Sequence, residues 1–74
     1  MYNLTKIINL DTMEQKQVFT GDITDMIDEA WLLDVITLAE HSQYIENLAD
    51  STELELFKDL AEDFMHNDYM LAEV

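Results

Sequence analysis

The sequence predicts an α+β fold, an N-terminal β-hairpin packed on two or three α-helices, as one domain spanning residues 1–74. Three observations carry that expectation. Apolar residues alternate with polar ones in the strand period only within residues 2–20. From Asp22 onward they recur every three to four residues, the period of an amphipathic helix. Backbone breakers are almost absent, with no Pro and a single Gly, Gly21, at the boundary between the two patterns.

The elements follow in order. In Tyr2–Leu10, Tyr2, Leu4, Ile8 and Leu10 point one way and Asn3, Thr5, Ile7 and Asn9 the other, with Lys6 interrupting the apolar face. Asp11–Glu14 reads as a turn and residues 15–20 as a second, shorter strand. Two strands alone are marginal in water, so the hairpin must pack on helices or pair with another chain. Helical spacing resumes with Ile23, Met26, Ile27, Ala30, Trp31, Leu33, Val35 and Leu38, with Asp22 or Thr24 as N-cap and Trp31 as an expected core residue. Residues 22–49 read as one long bent helix, or as two that divide near His41 and Ser42. Thr52 and Glu55 have capping-box spacing. They open a C-terminal helix over residues 52–70 with Leu54, Phe57, Leu60, Ala61, Phe64, Met65 and Tyr69 as its stripe and a frayed end after Met70.

Composition narrows the function classes. Without Cys there is neither a disulfide framework nor a thiolate metal site. At 49% apolar residues the chain is too hydrophobic for an acidic disordered segment. No basic-then-apolar leader opens it, and its longest apolar run, Ala30–Leu33, is far short of a membrane span. A cytoplasmic protein is expected.

Catalytic and metal chemistry find little support. Glu62 and Asp63 precede His66 by four and three residues, spacings at which helical side chains share an ion. His41 has no acid at either offset, so the second pair of a carboxylate-bridged bundle is missing. No Asp-rich, Gly-centred calcium loop, Gly-rich phosphate loop or Gly-flanked serine occurs. Leu48-Ala49-Asp50-Ser51 is similar to the Asp-Ser-Leu neighbourhood of acyl carrier proteins. Thr52 stands where the Leu belongs, however, and a helix start explains Ser51 better. No enzyme activity, cofactor or metal is expected.

Charge is the outlying property. Seventeen acids against three lysines give a net charge of −14, with no Arg. The first twenty residues sum to zero, so the whole excess lies on residues 21–74, where Lys58 is the only cation. Most acid-rich helix faces are simply solvated, but such faces usually mix both signs. Here Asp22, Asp25, Asp28 and Glu29 form one row and Glu55, Asp59, Glu62 and Asp63 another, with neighbours about 5–6 Å apart on a helix. That spacing is on the scale of phosphates along a nucleic-acid strand.

A small, Cys-free, ordered and strongly anionic chain without catalytic motifs resembles the nucleic-acid-mimicking inhibitors of phages and mobile elements, anti-restriction and anti-CRISPR proteins among them. The resemblance implies a partner that is a basic nucleic-acid-binding protein, a host defence or regulatory factor. Those eight acids would contact it, with Tyr2, Tyr44 and Tyr69 as apolar rim. Direct binding to nucleic acid or to membrane is not expected, and a homodimer stays open. The alternative is a small adaptor docking through its hairpin edge or an apolar groove, its charge serving solubility.

Overall fold

The computed structural model describes residues 1–74. Its elements run β1 (Tyr2–Asn9), β2 (Glu14–Gly21), α1 (Ile23–Leu32), α2 (Leu38–Asp50), α3 (Glu53–Met65) and β3 (Tyr69–Glu73). The fold is α+β: an N-terminal hairpin followed by three helices, with β3 completing an antiparallel sheet in the order β2-β1-β3. Tyr2 and Leu4 of β1 and Leu71 of β3 are buried with Ile23, Met26, Ile27 and Ala30 of α1 and Leu56, Leu60 and Phe64 of α3. No helix is long and apolar enough to cross a membrane.

Several expectations change. The C-terminal segment is not the end of a helix or a frayed tail. α3 stops at Met65, Asp68 adopts a left-handed φ of 62°, and residues 69–73 pair along β1. Leu71 is thereby buried opposite Leu4. The α3 stripe is Leu56, Leu60 and Phe64, flanked by Phe57 and Ala61, whereas Leu54 and Met65 face solvent.

Residues 22–49 form two helices, but the break lies earlier than His41. α1 closes in a Schellman motif: Asp34 N–H donates to the Trp31 carbonyl at 3.1 Å and Val35 N–H to the Ala30 carbonyl at 2.9 Å. Asp34 supplies the left-handed residue at φ 59°. Thr37 then caps α2, its hydroxyl accepting from Glu40 N–H while the Glu40 carboxylate accepts from Thr37 N–H. Ser42 lies inside α2. Trp31, off the buried face of α1, is not a core residue but 41% exposed against the His41 ring, whereas Ile36, beyond the turn, is buried.

The hairpin is also less regular than its alternation suggests. β2 carries an extra residue between the Leu4↔Phe19 and Thr5↔Gln17 pairs, and β1 one between Ile7 and Asn9. β3 accompanies β1 only as far as Lys6↔Tyr69. Beyond that the hairpin is a two-stranded arm in which every residue from Ile8 to Val18 is exposed. Ile8 and Leu10, expected on the apolar face, are therefore 54% and 63% exposed.

Candidate functional site

The two acidic rows are used differently. On α1, Asp22 and Asp25 form a reciprocal capping box: Asp25 N–H donates to Asp22 Oδ1 at 3.0 Å and Asp22 N–H to Asp25 Oδ2 at 3.2 Å. Both carboxylates also favour the positive end of the helix dipole. Asp28 Oδ1 accepts from His41 Nε2 at 2.8 Å, tying α1 to α2. Glu29 is half-buried on the same helix. Three of these four acids, Asp22, Asp25 and Asp28, therefore have local work in ordering α1 and its junction with α2.

On α3 the acids open onto a concavity. Asp59, Glu62 and Asp63 line a groove of about 390 Å³ between α2 and α3, facing Glu40, Gln43, Tyr44 and Asn47. Glu55 lies one turn before Asp59 on the same helix, in the first turn behind the Thr52 cap. Thus three of the eight predicted acids meet in one groove, joined by Glu40, which the row spacing did not single out. Its sequence signal was the Thr37-x-x-Glu40 capping box, a pattern that places an acid in the first turn of a helix.

The groove floor is held by Tyr44, whose hydroxyl donates to Asp63 Oδ2 at 2.6 Å. Burial, the Asp63 bond and then the charges of Asp63, Asp59 and Glu40 push the Tyr44 phenol above its ordinary value of 10.0. It remains a neutral donor at physiological pH and leaves the groove's charge to the carboxylates. Of the expected rim tyrosines, Tyr44 alone lines this groove. Tyr2 is instead a core residue stacked on Phe57 at 5.2 Å. Tyr69 packs edge-on against Phe64, under the Lys6 ammonium at 4.6 Å.

The groove has almost no internal compensation. His66 Nε2 lies 3.9 Å from Glu62 Oε1 with both side chains exposed, and none of the three lysines comes within 4.0 Å of a carboxylate. No three His, Cys, Asp or Glu side chains converge as a metal site would require. The other concavity, about 260 Å³, is largely apolar and lies between α3 and the sheet, lined by Ile7, Ala61, Met65, Tyr69, Met70 and Leu71. No protein family, curated protein or solved structure matches the chain, so its functional reading rests on this geometry.

Proposed function

We propose that the protein is a non-enzymatic inhibitor whose α2–α3 groove engages the basic, nucleic-acid-binding surface of another protein and blocks its access to DNA or RNA. The observation that carries this reading is that Glu40, Asp59, Glu62 and Asp63 line one concave surface with no lysine nitrogen within 4.0 Å of any of their carboxylates. Four carboxylates in a groove compete for Lys and Arg side chains that otherwise hold phosphates. Glu55, Asp59 and Glu62 or Asp63 rise along α3 in steps of about 4.5–6 Å, a spacing close to that of a charged backbone. Gln43 and Asn47 add neutral donors and acceptors for a guanidinium or its neighbouring backbone. The field of the whole acidic body steers a cationic partner toward the groove.

The test uses a partner captured from host lysate on the tagged protein and identified by mass. That partner's nucleic-acid binding is measured with wild-type protein and with D59N/E62Q/D63N. Inhibition should weaken steeply from low to moderate salt and be largely lost in the triple variant. A D28N/E29Q variant should retain it. Full inhibition by a folded triple variant would sink the proposal.

A further inference from the structure

The hairpin arm poses a question that the groove does not answer. Lys6 and Lys16 are directly opposite each other across β1 and β2, an arrangement that costs stability. Neither has a carboxylate within 4.0 Å, in a chain with seventeen of them. Around this pair lies an arm with no helix beneath it, exposing Ile8, Leu10, Met13 and Val18. The outer edge of β2 is unpaired over all eight of its residues.

We propose that two copies of the protein associate through these β2 edges, antiparallel and centred on Gln15. In that register Gln15 faces its own counterpart, and Glu14 of each copy falls opposite Lys16 of the other, on the same face of the joined sheet. Each lysine pair then gains the carboxylate it lacks within its own chain. Lys16, which otherwise guards the edge against pairing, becomes the residue that sets the register. The turn bearing Leu10 and Met13 lies alongside Val18 of the other copy, covering apolar side chains that are bare in the monomer.

Charge selects a second copy as the occupant. Residues 1–20 are neutral while the remainder carries −14. The arm is therefore where two such chains meet without bringing like charge together. Tip-overlapped arms also point the acidic helices to opposite ends of the dimer, several screening lengths apart at about 0.15 M salt. The other sheet edge offers no such fit, because β3 is five residues long and bracketed by Asp68 and Glu73.

Sedimentation equilibrium of the full chain, from micromolar to millimolar protein at about 0.15 M NaCl, tests it. Wild-type protein should show a concentration-dependent monomer–dimer equilibrium. K16E sets two carboxylates against each other at both cross-copy pairs, so its dissociation constant should rise roughly tenfold or more. The same change puts a carboxylate opposite Lys6 within the hairpin, so its Tm should hold or rise, separating lost association from lost folding. The charge-swapped E14K/K16E restores both cross-copy pairs and should recover dimerisation. A strictly monomeric wild type, an unaffected K16E dimer or a monomeric double variant would each overturn the proposal.

Discussion

Asp34, at the end of α1, and Tyr44, in the groove, show how single residues set local geometry. Asp34 ends α1 from the left-handed region, which costs most L-residues about 1–2 kcal/mol and Asp or Gly less. Asp34→Val should therefore destabilise the fold by about 1–2 kcal/mol, and Asp34→Gly should be close to neutral, as read from urea melts. Both substitutions lie on an exposed position, so packing does not confound the comparison.

Tyr44 titrates higher in the folded chain than in the unfolded one, because burial and Asp63 oppose its phenolate. Its contribution to stability is thus fully present below the unfolded value near 10 and is lost as pH rises toward the folded value. Chemical melts between pH 8 and about 11 should show stability falling above pH ~10, by at most about 1.4 kcal/mol per unit from this group. Tyr44→Phe should flatten that slope and cost about 1 kcal/mol at neutral pH by leaving Asp63 without its donor. An unchanged slope in the variant would assign the effect elsewhere, for instance to Tyr2, whose phenol burial also raises.

At the level of elements, the starts of α1 and α3 were legible, whereas the start of α2 at Thr37 and the helix ends were not. Asp22 and Thr52 cap where side-chain chemistry says they should, since a hydroxyl or carboxylate before an apolar run has a defined backbone donor to satisfy. The end of α1 was hidden because Trp31, Val35 and Leu38 keep helical spacing straight through the break. Only the positive φ of Asp34, in a loop without Gly, interrupts the helix. β3 was hidden for a related reason: Tyr69 and Leu71 fit the end of the α3 stripe as well as they fit a strand. The arm's exposure could not be read either, because alternation assigns faces and says nothing about which part of a strand has a helix over it. Of the candidate site, the α3 row was legible from spacing, whereas its pairing with Glu40 depends on how α2 docks. Gly21 joins β2 to α1 under a tight spatial constraint. A Cβ there would lie 2.8 Å from Asp25 Cβ and 2.9 Å from Phe19 Cε2. Gly21→Ala should cost about 1–3 kcal/mol by urea denaturation, through displacement of the α1 capping box and the Phe19 ring.

Across the whole molecule, an ordered body with a net charge of −14 stores repulsion that its three lysines do not offset. Adding NaCl should raise the Tm of the isolated chain by screening that repulsion, over the same range in which it should weaken binding to the proposed cationic partner. Thermal melts followed by circular dichroism at low and high NaCl measure the first effect, and a Tm that falls with salt would contradict it. Opposite salt responses for folding and for binding are the signature expected of an anionic surface kept for recognition.

The place of β1 in the sheet has a consequence for the order in which the chain can fold. Its neighbour on one side follows within a few residues, and its neighbour on the other lies some sixty residues further along. Synthesis therefore delivers the hairpin before the helices and β3 after them. Until Leu71 leaves the ribosome, Leu4 has no cover from that side and the middle strand stays half-paired. Closure across so long a separation is entropically slow. Completion of the sheet, rather than formation of the helices, should set the refolding rate of this small protein.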